Sequence, residues 1–234
     1  MAIASISVII PVLNEEENLP SLLSYLYDVS DRSHLLEIIV VDGGSTDKSV
    51  EIARQNGAVV IHSLKGRARQ MNAGARVAKG DVLYFLHADS YPPLNVWNTI
   101  IEAARQKDAG CFRLKFNTNS WFLKANAWFT RFNINAIRFG DQSLFVRKHV
   151  FETVGSFNET HVVLEDQEIV RRISKQHTFT VLPDYVTTSA RKYEENGNVR
   201  LQCIFLLICV LYNLGFPQQK LVATYKKLIR RPNI

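Results

Sequence analysis

Three carboxylates stand where a ligand could reach them. Asp42 and Asp89 each follow an apolar run, and Asp166 sits where a loop meets a helical stretch. An acid at the end of a strand can receive a ligand without being buried and unpaired. In "VVDGGSTDKS" Asp42 can accept hydrogen bonds from a base or from ribose hydroxyls. Gly43 and Gly44 permit a tight turn, and Ser45 or Thr46 can cap the next helix. In "LYFLHADS" His87 precedes Asp89 by two residues, so an extended backbone would project both to one side. A carboxylate and an imidazole at that spacing can hold a divalent metal, Mn2+ or Mg2+. In "VVLEDQEIVRRI" Glu165 and Asp166 open a helix, and Asp166 is placed to act as a general base toward an acceptor hydroxyl. Each motif also has a plain reading: a capped turn, a structural histidine, and acids stabilising a helix start through its dipole.

A basic loop completes the set. "KGRARQMNAGA" puts Gly66, Arg67, Arg69 and Gln70 at a helix start. Guanidinium groups and free helix N–H groups both suit phosphates, although a solvated basic turn has the same composition.

The elements that must carry these residues are legible in outline. "ISVIIPV" (6–12), "EIIVVD" (37–42), "AVVIH" (58–62) and "DVLYFLHAD" (81–89) are short runs rich in β-branched residues, as expected of strands buried on both faces of a parallel sheet. Helical spacing falls between them at 15–27, 46–55 and 67–78. This alternation predicts an α/β fold with a doubly wound, mostly parallel (mixed) sheet flanked by helices. Its ligands would bind beyond the carboxyl ends of the strands. Further on, 110–116 and 142–148 read as strands, 120–137 as an aromatic-rich helix and 165–175 as a charged helix. The C-terminal helices read at 198–213 and 217–231. One domain is expected over 1–234, with a nucleotide half (1–110), an acceptor half (111–197) and the C-terminal helices (198–234).

With 234 residues, 47% hydrophobic and 21% charged, the chain can bury an ordinary core. Its net charge of +6 suits phosphates or an anionic membrane face. Cys111, Cys203 and Cys209 have no disulfide or zinc spacing, and the last two read as small core residues. "MAIASISVIIPVLNEEE" lacks a basic start and a cleavage pattern, and the apolar stretch 201–214 is too short to span a bilayer. The expectation is a cytoplasmic protein, with peripheral contact to an anionic membrane open and no nucleic-acid partner. The oligomeric state is not set by the sequence.

Taken in order, "SVIIPVLNEEENL", "EIIVVDGGSTDKS", "GRARQMNAGA", "GDVLYFLHADS", "GDQSLFVRKHVFETVGSF" and "LEDQEIVRRI" resemble the family 2 glycosyltransferases of GT-A fold over most of residues 5–175. The resemblance implies that Pro11, Asn14 and Glu15 line a nucleotide pocket and that Asp42 recognises base and ribose. It implies that Arg67 and Arg69 approach the donor, that Asp89 ends the Asp-x-Asp metal motif, and that Asp166 is the base. His87 stands where most of that family has Asp, so Asp89 offers the one carboxylate of the motif and His87 is a candidate second ligand. "SARKY" (189–193) occupies about the place of the Gln-x-x-Arg-Trp motif, with Lys192 and Tyr193 replacing Arg-Trp toward diphosphate and acceptor. The "HADS", "GDQSLFVRK", "SARKY" and "YNLGFP" segments are most similar to a small bacterial group named for arsenosugar biosynthesis.

The implied activity is inverting transfer of a sugar from a nucleoside-diphosphate sugar, UDP favoured by family habit, to a hydroxyl of a small-molecule or lipid acceptor. A nucleotidyltransferase is opposed by the acids of "PVLNEEEN", which follow the first strand where a phosphate loop would lie. A dehydrogenase is opposed by the lack of G-x-G-x-x-G after a strand. A binding protein of the same fold that has lost catalysis is the rival that His87 favours.

Overall fold

The β-branched runs do form parallel strands, and the first four meet side by side. The computed structural model describes residues 3–29, 32–134 and 142–230. Strands β1 (Ile6–Val12), β2 (Leu35–Asp42), β3 (Val59–His62) and β4 (Val82–Phe85) pair in the order β3-β2-β1-β4, all parallel. Helices α1 (Leu19–Asp28), α2 (Ser49–Gln55) and α3 (Arg67–Val77) make the crossovers. In β1, β2 and β4 almost every side chain near the carboxyl end is buried, as expected for strands covered on both faces. The β3 strand departs from this expectation. It is the sheet edge, with neighbours on one side only, so Val59 is exposed.

The second half enters the same sheet rather than building another. Strand β5 (Ser90–Tyr91) and helix α4 (Val96–Gln106) lead to β6 (Ala109–Phe116). Helix α5 (Trp121–Phe129), β7 (Leu144–Arg147), α6 (Lys148–Thr153), α7 (Glu165–Gln176) and β8 (Phe179–Thr188) follow. The full order is β3-β2-β1-β4-β7-β6-β8-β5. Strand β7 runs antiparallel between β4 and β6, and β8 is parallel to β6. Helix α4 and strand β8 were not expected from the sequence.

Helices α8 (Arg191–Asn196), α9 (Asn198–Asn213) and α10 (Gln218–Leu228) close the chain. They bury Tyr193, Leu201, Ile204, Ile208 and Tyr225 with Leu123 and Ala127 of α5 in a third apolar cluster, beside the two that sandwich the sheet. Helix α9 fully buries only Leu201, Ile204 and Ile208, with Phe205 partly buried beside them. Cys203 is therefore exposed and Cys209 half-buried, not core residues as the apolar run suggested, and Cys111 is the buried thiol. Residues 135–137 of the expected aromatic helix, Asp141 of "GDQSLFVRK" and Arg231 lie outside the described residues. No helix among the described residues is long and apolar enough to cross a membrane.

Candidate active site

The parallel register lines up the ends of the first strands. Val12 of β1 pairs with Asp42 of β2, which pairs with His62 of β3. The loops after all four strands therefore open on one edge of the sheet, and most of the expected site residues lie there.

Asp42 is 3% exposed. Its Oδ1 accepts from Ser45 N (2.9 Å) and its Oδ2 from Gly44 N (3.1 Å), while Nδ1 of His62 lies 3.2 Å from Oδ2. Burial pushes this carboxyl up, but hydrogen bonds from Ser45, His62 and Gly44 outweigh burial and hold it below its ordinary range. Gly44 has φ +97°, the left-handed region where a side chain would be strained, so the glycine turn is required.

Ser45 and Thr46 do not cap α2. Asn14 N donates to Ser45 Oγ (2.9 Å), and Thr46 N donates to Asn14 Oδ1 (2.8 Å). The start of α2 is held by Asp47 instead, whose Oδ1 accepts from Ser49 N and Oγ. Asn14 thus laces the loop after β1 to the loop after β2, and its φ of 55° bends the chain there. Glu15 follows. Its N donates to Ser49 Oγ (2.8 Å) and its Oε2 accepts from Asn18 Nδ2 (2.7 Å).

Strand β4 ends at Phe85, opposite Leu144, where its partner β7 begins. His87 and Asp89 therefore stand on a turn, in which Ser90 N donates to the His87 carbonyl (3.2 Å), and not on an extended strand. Both are half-buried. Glu15 is raised above the ordinary carboxylate range by burial and by the charge of Asp89, against the lowering effects of Asn18, Arg191 and His87. The loop after β1, the turn after β4 and the start of α8 thus lie within one another's electrostatic reach.

The acid pair at α7 joins the same place. Glu165 is 2% exposed, and its Oε1 lies 3.8 Å from Arg67 Nη1 in the first turn of α3. That oxygen accepts no hydrogen bond. Burial first, then the neighbouring Asp166, push Glu165 up to about 7, while Arg67 and His87 pull the other way. His87 therefore acts on Glu15 and on Glu165 alike. Asp166 is half-buried in the same first turn, and the residue before the pair, Leu164, has φ 62°. A leucine in that region is uncommon. Helix α7 is fixed by Arg172, which binds Glu168 through two 2.6 Å contacts and donates to the carbonyls of Val154 and Ser156.

Gln70 faces inward. Its Nε2 donates to the carbonyls of Val12 (2.9 Å) and Val41 (2.8 Å), so it ties the ends of β1 and β2 together. Pro11 is half-buried in β1, and Arg69 is exposed on the first turn of α3. Lys192 stands over the Tyr225 ring (5.6 Å), on the α10 side. Tyr193 is buried against Phe116 and Phe205, so its ring packs in the third apolar cluster and not against an acceptor.

A family model described as Glycosyl transferase family 2 matches residues 7–159, more than half of the chain. The chain belongs to that family. It is 37% identical to the undecaprenyl-phosphate 4-deoxy-4-formamido-L-arabinose transferase of Aeromonas hydrophila over 129 residues, 51% of this chain and 40% of that protein. It is 41% identical to the 4,4'-diaponeurosporenoate glycosyltransferase of Staphylococcus haemolyticus over 93 residues, 36% of this chain and 24% of that protein. The matches thus span two fifths or less of these curated relatives. Among solved structures, a mannosyltransferase of Pyrobaculum calidifontis in complex with GDP-Man and Mn2+ superposes with a TM-score of 0.70 at 16% identity, covering 94% of this chain and 68% of that one. Glucosyl-3-phosphoglycerate synthase of Mycobacterium tuberculosis, in complex with Mn2+, UDP and glucosyl-3-phosphoglycerate, gives 0.66 at 15% identity, covering 92% and 81%. These likenesses show the GT-A fold.

Against that family frame, sequence reasoning missed Arg191 and His62. Arg191 lies 4.0 Å from Glu17 and acts on Glu15, although Lys192 was the residue singled out in "SARKY". For the metal, no group of three or more His, Cys, Asp or Glu able to hold an ion occurs among the described residues. The donor set His87 and Asp89 fits a cation that takes one or two protein ligands and completes its shell with substrate phosphates and water.

Proposed function

We propose that this chain transfers a sugar, with inversion, from a nucleoside-diphosphate sugar to a hydroxyl acceptor. The observation that supports it most is the 3.8 Å approach of Glu165 Oε1, at the start of α7, to Arg67 Nη1, at the start of α3. It supports the reading that residues far apart in sequence share one cleft at the carboxyl edge of the sheet.

In this reading Asp42, Asn14 and the glycine turn hold the base and ribose, with Pro11 lining the pocket. Glu15 and Gln70 keep that pocket in shape, Gln70 by tying the two strand ends. Arg67 and Arg69, at the start of α3, take the diphosphate with the free N–H groups of the helix. Lys192 is a more distant candidate for the same charge, and Arg191 a nearer one. His87 and Asp89 would hold Mn2+ or Mg2+, which neutralises a departing diphosphate when bound. Asp166 takes the proton of the acceptor hydroxyl. The oxygen attacks the anomeric carbon from the face opposite the nucleotide, the new C–O bond forms, and the old one breaks with its electron pair on the diphosphate. Glu165, raised by burial to about 7, carries less negative charge beside Asp166 than an exposed glutamate would, and it lies 3.8 Å from Arg67.

The chain works as one catalytic unit, with 1–110 receiving the donor, 111–197 the acceptor, and 198–234 buttressing the acceptor side. The similarity to a lipid-phosphate transferase supports a lipid acceptor and peripheral contact with a cytoplasmic membrane face. The likeness to the arsenosugar group supports a small polar acceptor instead. A thermal-shift panel of nucleoside-diphosphate sugars with Mn2+, followed by hydrolysis of the best donor, tests the core proposal. Donor that binds but is never cleaved, with any acceptor, would leave only a sugar-nucleotide-binding protein.

A further inference from the structure

Two segments of the second half carry cations and no acids. Residues 109–134 contain Arg113, Lys115, Lys124 and Arg131 and no Asp or Glu. Residues 196–230 contain Arg200, Lys220, Lys226, Lys227 and Arg230, again with no acid. These segments hold α5 and α9, which pack on each other through Leu123, Ala127, Leu201, Ile204 and Ile208.

The outward sides of both helices are apolar. On α5 and the turn after it, Trp121 is 78% exposed, and Trp128, Phe129 and Phe132 are also exposed. On α9, Leu206 (63%), Leu207 and Val210 face out, followed by Leu214 (69%) and Phe216. A helix apolar on every side is ordinarily covered on every side, and aromatic residues left in water beside cations mark an interaction surface. Between α5 and the end of β6 lies a cavity of about 140 Å³ lined by Lys115, Lys124, Arg131, Trp128 and Tyr185. Arg131 is held in place there, with its guanidinium 4.3 Å from the Trp128 ring centre and its Nε donating to the Trp128 carbonyl. Thr130 fixes the helix end by accepting from Leu114 N of β6 (2.9 Å).

The cavity is close to the candidate active site. Ser90, which follows Asp89, pairs with Thr188, and Thr188 pairs with Phe116. Two strand spacings, roughly 10 Å, separate the metal-motif turn from the cavity wall.

We propose that α5 and α9 form the face by which the chain docks on an anionic phospholipid surface. The exposed aromatics and leucines enter the headgroup boundary, and Lys115, Lys124 and Arg131 receive lipid phosphates. Charge complementarity selects this partner: the segments that carry α5 and α9 have an excess of cations and no acid, and aromatic and aliphatic residues flanked by Lys and Arg suit the interface of a bilayer. The proposal deepens the membrane contact named in the proposed function and rests on it only for the position of the reaction beside the surface.

Two of the three tryptophans, Trp121 and Trp128, lie on this face, and the third, Trp97, is buried. Intrinsic emission therefore reports docking. The 234-residue chain is mixed at low salt with vesicles of phosphatidylcholine alone or with about 30% phosphatidylglycerol. The expected result is co-flotation and a blue shift with the anionic vesicles only. Paired Lys124→Glu and Arg131→Glu should lower partitioning at least about 25-fold, at about fivefold for each of the two lost cations, with an unchanged thermal transition. Trp121→Phe and Trp128→Phe, measured singly, should each remove part of the shift. An emission spectrum unmoved by anionic vesicles overturns the proposal. So does a stable dimer in ultracentrifugation whose tryptophans are already blue-shifted, because a second copy would then cover the face. Donor hydrolysis in solution is scored separately: hydrolysis without vesicle binding removes the docking face alone, and vesicle binding without hydrolysis removes the transfer reaction alone.

Discussion

Glu165 shows how burial can raise a single carboxyl toward physiological pH. It has lost its water, Asp166 sits beside it, and Arg67 at 3.8 Å compensates only in part. Because its folded value is about 7 against an ordinary 4.5, the folded chain binds more protons than the unfolded chain between those values. That contribution to stability is therefore complete below about pH 4.5 and is lost as pH rises through 7. Glu165→Gln removes the dependence. Its melting temperature relative to the unmodified chain should climb from pH 5 to pH 8.5, and a constant difference across that range would reject the assignment. Asp166→Asn should leave donor binding intact and reduce turnover by about 10²–10⁴, as for loss of a general base. Turnover near normal would remove Asp166 from that role. That Asp42 would end a strand and Asp166 open a helix was legible in the sequence, from the apolar run before the one and the helical spacing after the other. Arg191 was not, because an exposed arginine in a polar run looks like any solvated residue until the fold brings it to Glu15.

In the proposed function helix α3 carries Arg67, Arg69 and Gln70 to the donor. Its Gly74 lies so close to the sheet that an added Cβ would stand 2.5 Å from Ile9 Cγ2 and 3.0 Å from a Val41 methyl. Gly74→Val should cost at least about 1–3 kcal/mol and move Arg67 and Gln70 away from the strand ends. Calorimetry should then show weaker donor binding together with a lower melting temperature. Gln70→Leu should keep the helix in place but leave the Val12 and Val41 carbonyls without that donor, at about 1–3 kcal/mol. Hydrophobic spacing gave α3 to within a residue, Arg67–Val77 against 67–78, because one helix face packs on the sheet. It ran β4 on to residue 89, because "FLHAD" continues the apolar pattern. The end of the strand is set by the partner that runs out at Leu144, and no local signal carries that.

At the scale of the molecule, the sheet joins the two halves of the chain. The order β4-β7-β6 means that a strand from residues 144–147 completes the hydrogen bonding of the first half. A fragment ending at residue 107 should therefore lack a cooperative thermal transition, and one that melts sharply would show that the nucleotide half folds alone. The alternation of strand and helix made the parallel half readable. In the mixed half the spans of β6 and β7 were readable too, at 110–116 and 142–148, but β8 and the order in which these strands join the sheet were not. Strand order depends on which surfaces meet, not on the pattern of any one segment.

The insertion of β7 also bears on how the chain emerges from the ribosome. Val82, Leu83, Tyr84 and Phe85 are among the most deeply buried residues of the finished protein, yet their outer neighbour is translated about 60 residues later. At about 5–20 residues per second, a nascent sheet with one open, wholly apolar border waits roughly 3–12 seconds for its cover. That interval is an opportunity for chaperones and for misassociation. Slower growth at reduced temperature, or extra trigger factor, should raise the soluble yield more than any substitution at the catalytic edge.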